Sequence, residues 1–410
     1  MMPDCRYCHA PLHQTLVDLG ATPLANSYLP AQDSAALDAE TSYPLRVMVC
    51  DKCWLAQTTE SIPAEAIFDH DYAYLSSYSA GWVAHAGRYA EEMKQRYDLD
   101  GESLVVEIAS NDGYLLRHFV EMGVSVLGIE PAGYAAEVAR GVGVDTRVAF
   151  FGRDIATELR AAGVNANLMA ANNVLAHVPD IADFIAGFAI LLAEDGVATF
   201  EFPHLANLLE LVQFDTIYHE HYSYLSLLFV ERLMRDAGLE VFDVTQLPTH
   251  GGSLRVFVGH EGKHAPAAAL DEVRAHEARL KMDRIEGYDG YADQVAQITG
   301  ALRGFLAKAK AEGKSVAAYG AAAKGNTFLN VAGITHADIA FVVDRNPQKQ
   351  DTLLPGSHIP VYSPEKIAAE KPDYLVILPW NIAPEVMAQQ AEIRDWGGQF
   401  VVAVPVLRIQ

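Results

Sequence analysis

The sequence predicts an α/β protein: a small cysteine-rich module at the N-terminus, then two Rossmann-like units in tandem. Three observations carry this. All four cysteines fall within the first 53 residues, as the pairs "CRYC" and "CDKC". From residue 102, "ESLVVEIASNDGYLLRHF" reads as a buried strand, a turn of small and polar residues and a helix start. A second strand, "SVLGIEP", follows and ends on Glu130. The same theme returns in "KSVAAYGAAAKGNTFLN", again followed by a strand, "IAFVVDRNP", that ends on an acid, Asp344. A length of 410 residues, half of them apolar, allows two or three domains with sizeable cores.

The formal charge is −23, from 30 basic and 53 acidic residues. Phosphate backbones are recognised by basic surfaces, so no nucleic-acid partner is expected. No apolar run reaches the roughly 20 residues of a bilayer span. The start, "MMPDCRYCHAPLHQ", lacks the charged and apolar segments of a signal peptide. The expectation is a soluble, cytoplasmic protein with no membrane partner.

The leader holds Cys5, Cys8, Cys50 and Cys53. Cytosolic thiols stay reduced, which disfavours disulfides. Each C-x-x-C lets two thiolates grip one ion from a tight turn, and two pairs complete a tetrahedral four-sulfur zinc site. Four thiolates leave no open position, so zinc here is structural. A redox pair is the other reading, and His9 and His13 are possible substitute ligands. This module is assigned residues 1–70.

The first α/β unit opens on the strand Leu104–Ile108. In doubly wound sheets, ligands sit past the carboxyl ends of the strands, and an acid at the end of the second strand, Glu130, suits a ribose diol. The loop "EIASNDG" is not the dinucleotide G-x-G-x-x-G. Its one glycine is Gly113, and it is rich in side-chain donors and acceptors, which favours a nucleoside without a pyrophosphate. A third crossover leads to a strand over 168–171, then "NNVLAHVPD", a helix, and a strand over 196–201. This core is assigned residues 71–250.

The remainder, 251–410, starts with a helical linker broken near 287–290. "YGAAAKGNT" is neither a P-loop nor G-x-G-x-x-G. A glycine turn at a helix N-terminus with Lys324 beside it is an anion cradle, or equally a tight turn with a solvated lysine. "HGG" at 250–252 permits close backbone approach. "DYLVILPW" and "QFVVAVPVL" are two more buried strands.

The acidic first-strand motif, Glu130 and "NNVLAHV" match class I S-adenosylmethionine-dependent methyltransferases in order and spacing. With the cysteine leader, "YHEHYSYLS", "THGGSLRVF" and "DRNPQKQDTLLPGSHIPV", essentially the whole chain resembles the sugar C-methyltransferases that act on nucleotide-linked 4-keto-6-deoxyhexoses, such as the C-3 methyltransferases of antibiotic deoxysugar pathways. The resemblance implies a class I methyltransferase Rossmann-like core, a small N-terminal zinc module and a second C-terminal Rossmann-like domain. It implies S-adenosylmethionine held by Glu107, Ala109, Ser110, Asn111, Gly113, Glu130, Pro131, Asn172 and Asn173. Glu130 would hold the ribose hydroxyls, with the 109–113 loop near the methionyl end. It places Tyr218, Glu220 and His221 in the active site, with His177 and Tyr72. It implies that a dTDP-linked 4-keto-deoxysugar lies between the two α/β units, in contact with Tyr72, Tyr218, Tyr222, His250, Ser253, Arg255 and Lys324. Ser253, Arg255 and Lys324 are the candidates for the diphosphate or nucleotide. The assembly expected is a monomer or small homo-oligomer.

Carbon methylation beside a ketone needs removal of the α-proton and stabilisation of the enolate. An imidazole or carboxylate can take the proton, and a donor aimed at the carbonyl oxygen steadies the developing charge. "IYHEHYSYLS" offers Tyr218 as donor, Glu220 as orienting carboxylate and His221 as base, with His177 as an alternative donor. If the segment is extended, alternation turns His219 away from Tyr218 and Glu220, and also splits Glu220 from His221. A turn or helical twist is therefore required there. The same residues also suit a buried polar cluster that merely fixes a loop. The expected reaction is methyl transfer to a ring carbon, C3, through an enolate. Its rivals are O- or N-methylation of a related sugar, and an NAD-dependent oxidoreductase using the C-terminal unit with Asp344 on the ribose.

Overall fold

The structure is a computed structural model, and it describes residues 3–32, 34–59, 62–63 and 75–410. The N-terminal module builds an antiparallel sheet from Gln14–Thr22, Tyr43–Val49 and Ala56–Thr58. Its fourth strand, Ser223–Tyr224, comes from the middle of the chain, pairing Ser223 with Gln57 and Tyr224 with Ala56. The short strand Leu29–Pro30 pairs with Thr352–Leu353 of the C-terminal unit. The module is thus hydrogen-bonded to both of its neighbours.

The core is a seven-stranded sheet. Its order runs Leu239–Leu247, Ser253–His260, Leu192–Pro203, Ala166–Asn172, Leu104–Ile108, Ser125–Glu130, Thr146–Val148. The five strands from Leu192–Pro203 to Thr146–Val148 are parallel, whereas Ser253–His260 runs antiparallel to both its neighbours. This is the class I methyltransferase arrangement. The first two crossovers lie where the apolar runs predict them. Thr146–Val148 has three residues and only Thr146 buried, too short a pattern to read. Because Ser253–His260 pairs along Leu192–Pro203, the core sheet runs on past residue 250, the division expected from the sequence. Long-range pairing sets that limit, and local pattern does not display it.

The linker folds as two helices, Ala269–Arg279 and Tyr291–Ala311, with left-handed Gly290 before the second. The C-terminal sheet orders Val361–Tyr362, Val342–Val343, Val316–Tyr319, Tyr374–Ile377, Gln399–Val402 and Arg408–Ile409, with the last strand antiparallel. One apolar cluster runs from the N-terminal sheet (Leu16, Val47) through Phe214 and Ile217 to Leu302 and Val342. A second joins Cys5, Cys50 and Cys53 to the core sheet at Val106 and Met169. Burial at roughly 25 cal/mol per Å2 of apolar surface then holds the three parts as one body. No helix among the described residues is long and apolar enough to cross a membrane.

Candidate active site

The segment 217–226 is a turn followed by a short strand. His221 N–H donates to the Tyr218 carbonyl at 2.9 Å, closing the turn that the polar spacing required. Its chain is then captured on both sides. Tyr222 N–H donates to Ala176 O, and Thr58 N–H to Tyr222 O. The His221 ring sits 4.0 Å, centroid to centroid, from Tyr218 and 4.6 Å edge-on to His177. His221 Nδ1 faces the Thr216 carbonyl at 2.8 Å, and His177 Nδ1 faces the Glu220 carbonyl at 2.8 Å. A carbonyl only accepts, so each Nδ1 carries the proton and each Nε2 is the accepting nitrogen. Burial holds His177 down at about 4 and pushes His221 well below the usual imidazole range, with His177 and Lys324 adding to the effect on His221. Both rings are neutral near pH 7.

The turn sends the other side chains elsewhere. Glu220, the expected orienting carboxylate, accepts from Asn26 Nδ2 at 2.7 Å; burial raises its pKa, and Asn26 and Lys349 offset this only in part. It is the Glu220 backbone carbonyl that orients His177, and a Thr216 carbonyl that orients His221. His219 turns to the carbonyls of Tyr43 and Pro44, the packing role expected of it. Tyr222, expected at the substrate, donates to the Ile62 carbonyl and lies beneath the Arg6 guanidinium. Its ring is fully buried and fastens the turn to the N-terminal module. Tyr72 lies outside the described residues.

On the other side of the core, Ala109, Asn111 and Gly113 all have positive φ, folding the loop back over the end of the first strand. A Cβ on Gly113 would crowd Val144, at 3.1 Å, in a conformation side chains rarely adopt. Glu130 clamps the loop: Oε2 accepts from Asn111 N–H and Oε1 from Ala132 N–H, both at 2.8 Å. Ser110 packs against Gly128, and Pro131 begins the turn after Glu130. Asn111 and Asp112 in turn accept from the backbone N–H of Ser76 and Ser77. Five buried oxygens here have no hydrogen-bond partner among the described residues: Glu107 Oε2, Ser110 Oγ, Asp112 Oδ1, Asn172 Oδ1 and Asn173 Oδ1. Burial, with Glu130 and Asp112 nearby, raises Glu107 well above the carboxylate range. Tyr114, absent from the sequence prediction although it follows Gly113 directly, lies between Glu107 and Asn172.

The rim between the units is made by the "HGG" turn. Asn173 Nδ2 lies 3.2 Å from His250 Nε2, and Lys324 Nζ donates to the His250 carbonyl at 3.3 Å. The glycines admit protein rather than ligand. A Cβ on Gly251 would lie 2.5 Å from Trp380, and one on Gly252 would lie 2.3 Å from Asn207. Trp380 Nε1 donates to the buried Asp215 at 2.7 Å, and burial pushes Asp215 up to about 6. Asp215 stands two residues before the polar turn, and its position there is the one sequence signal that could have flagged it. Arg255 and Ser253 leave the nucleotide role expected of them. Arg255 pairs with Glu201 at 2.8 Å under the Tyr89 ring, and Ser253 Oγ donates to Thr249 O. Inward-facing positions of the strand Ser253–His260 bury both groups within the core. In the C-terminal unit, Asp344 repeats the Glu130 clamp, accepting from Ala321 and Asn346 N–H at 2.8 Å each. Tyr28 and Lys349 close on the same loop at the Ala321 carbonyl, 2.5 and 2.7 Å away. The crevice an NAD ribose would need there is lined by the N-terminal module.

The four Sγ atoms of Cys5, Cys8, Cys50 and Cys53 lie within 4.8 Å of one another. Cys5 to Cys53 and Cys8 to Cys50 are 3.5 Å. Tetrahedral zinc–sulfur bonds of about 2.3 Å put sulfurs about 3.8 Å apart, so the cluster fits that ion. His9 and Trp54, each following the second cysteine of its pair, are both left-handed and both donate back to Cys5 O and Cys50 O at 2.9 Å. Gln57 Nε2 donates to Cys5 Sγ at 3.1 Å. His9 and His13 are exposed and outside the cluster.

The chain matches known families along most of its length. A zinc-binding-domain family matches residues 5–68, a methyltransferase-domain family 84–244, and the family described as C-methyltransferase C-terminal domain 248–405. The C-methyltransferase NovU of Streptomyces niveus is 38% identical over 413 aligned residues, covering 99% of this chain and 96% of NovU. The chain belongs to the C-methyltransferase family. Solved structures include a S-adenosylmethionine-dependent methyltransferase from Clostridium acetobutylicum ATCC 824, with 13% identity, TM-score 0.35, and coverage of 43% of this chain and 91% of that one. Another is magnesium protoporphyrin IX methyltransferase from Synechocystis PCC 6803, with 12% identity, TM-score 0.36, and coverage of 49% and 99%. The fold assignment rests on the strand order and not on these scores.

As a C-methyltransferase the chain is an S-adenosylmethionine-dependent enzyme with a four-cysteine zinc-binding module, which displaces the oxidoreductase and O- or N-methyl readings. The orphaned oxygens fit the cofactor. Glu107, Asp112, Asn172 and Asn173 present acceptor oxygens, suited to an ammonium and a sulfonium. Glu130→Ala is expected to weaken S-adenosylhomocysteine binding by roughly 1–3 kcal/mol, since it removes a charged acceptor and releases Asn111 N–H. Calorimetry checks this, and unchanged affinity would remove Glu130 from the cofactor site.

Proposed function

We propose that this C-methyltransferase methylates C3 of a dTDP-linked 4-keto-6-deoxysugar through an enolate, with His221 as the base. The observation that carries this is the His221 ring. It is neutral, fixed as the Nδ1–H tautomer by Thr216, and packed on Tyr218 and His177. A ring so held can accept a proton at Nε2 without first losing one. S-adenosylmethionine, when bound, supplies an electrophilic methyl group on a sulfonium. The chain's own part is to hold the ketosugar, take the α-proton at His221 Nε2, and place a donor on the carbonyl oxygen. Tyr218 stands beside His221 for that last role. His177 Nδ1 is spent on Glu220 O, which leaves its Nε2 as an acceptor and makes Tyr218 the better donor. A sugar substrate, its nucleotide and the C3 position come from the resemblance of the motifs to sugar C-3 methyltransferases. Product analysis by carbon-13 NMR with labelled donor, over a panel of 4-ketosugar nucleotides, tests all three. Methyl on oxygen or on another ring carbon would overturn the reading.

The pH dependence follows from the sign of the shift. Burial lowers the His221 pKa, so the proton-free form persists below the ordinary value of about 6.5. The ascending limb of kcat/KM should therefore lie acid of 6.5, and should vanish in His221→Asn. A limb centred at 7 or above would point to a different base.

A further inference from the structure

Lys324 is a half-buried cation. It enters from the first turn of the helix Ala323–Val331 in the C-terminal unit and reaches across to the core. Its Nζ donates to the His250 carbonyl at 3.3 Å and lies 5.3 Å from the centre of the Trp380 ring. No described carboxylate comes within 4.0 Å of it; the acid that acts on it is the buried Asp215, whose Oδ2 accepts from Trp380 and whose Oδ1 has no hydrogen-bond partner among the described residues. Desolvation lowers the Lys324 pKa, and its charge in turn disfavours protonation of both His221 and His250. The ammonium is thus electrostatically joined to the proton-accepting ring, and it sits beside His250, which Asn173 contacts. A cation partly withdrawn from water and without a close carboxylate is well placed to meet an arriving anion. A low-dielectric site strengthens whatever pairing then forms.

We propose that Lys324 is a further catalytic residue, whose ammonium faces the oxygen of the substrate ketone and stabilises the enolate. The proposal rests on the ketosugar reading above. In the step concerned, the C3–H bond breaks and its proton goes to His221 Nε2. The bonding pair becomes the C3=C4 double bond, and the carbonyl π pair moves onto O4, where the negative charge meets Lys324. A diphosphate is the other anion that a lysine attracts. Against it, the two other groups expected at the phosphates, Arg255 and Ser253, are engaged inside the core, and Lys324 sits beside the imidazoles instead.

The test uses full-length zinc-loaded enzyme, dTDP alone, and a dTDP-linked 4-keto-6-deoxyhexose in deuterium oxide. Lys324→Met should bind dTDP and S-adenosylhomocysteine as the wild type does. Its kcat for methylation should fall by about 10²–10³-fold, the scale of losing one oxyanion donor, and deuterium exchange at C3 should fall with it. Lys324→Ala, in which an added alkylammonium salt should restore part of the rate, serves where the Met variant misfolds. Weaker dTDP binding with unchanged turnover of the bound complex would make Lys324 a diphosphate contact and overturn the proposal. Undiminished kcat would overturn it alone. Wild type that C-methylates none of the ketosugar nucleotides would overturn the substrate reading and this proposal together.

Discussion

Cys50→Ser should abolish the folded N-terminal module and, with it, activity. Structural zinc contributes about 10–16 kcal/mol in small four-ligand sites, as much as the whole stability of a typical domain. The cysteines sit in the same apolar cluster as Val106 and Met169 of the core sheet, so the damage spreads beyond the metal. It also reaches the chemistry, because Tyr224 and Ser223 pair with Ala56 and Gln57 of the module. Losing those pairs frees the turn that holds His221. The expected result is a variant that binds less than one zinc per chain, aggregates or melts far below wild type, and cannot methylate. Metal analysis with thermal melts checks it. A soluble variant with all four cysteines replaced, of normal stability, would refute the structural role. Asp236 accepts from the hydroxyl of Tyr7, between the two cysteines of the first pair. Asp236→Asn should therefore soften the module without removing the metal.

His221→Asn should lose methyl transfer by about 10²–10⁴-fold, the usual contribution of a positioned acid–base group. Binding of S-adenosylhomocysteine and of dTDP should survive, because the loop clamped by Glu130 and the C-terminal unit are built from other residues. The neighbours provide the contrast. His219→Asn should lose far less, since its ring meets the Tyr43 and Pro44 carbonyls. Tyr218→Phe should fall between the two. Tyr222→Phe should cost stability rather than chemistry, since its hydroxyl serves the Ile62 carbonyl. In deuterium oxide without methyl donor, wild type that exchanges the C3 proton and His221→Asn that does not would separate proton removal from methylation. If His221→Asn turns over normally while His177→Asn is dead, the base is His177.

Much of the candidate site was legible in the sequence, and particular residues show why. Ala109 to Gly113 and Glu130 follow from strand and turn patterns within 30 residues of one another, and the clamp between them is local. The paired cysteines state their own chemistry through spacing. His221 and Tyr218 were readable because the turn that groups them lies in one short stretch. Arg255, by contrast, carries the right charge for a phosphate but lies on an inward-facing position of a strand, beside Glu201 and Tyr89. Nothing near it in sequence reveals those partners. Asp215 and Tyr114 were missed because each acts on residues that are distant along the chain or hidden by burial.

The sequence by itself determined the three-part α/β plan, the four-cysteine module, the order of the first crossovers and the residues able to move a proton, because periodicity, spacing and side-chain chemistry are properties of neighbouring residues. The tertiary structure alone decided that Glu220 turns its carboxylate to Asn26 and lends His177 only its carbonyl, that Tyr222 fastens the N-terminal module, and that Lys324 crosses from the C-terminal unit to the core. Alternation states that successive side chains face opposite ways. Which neighbour waits on each side is set by packing between segments up to hundreds of residues apart, as with Asn26 and Glu220, and by the cost of burying any polar group that finds no partner there.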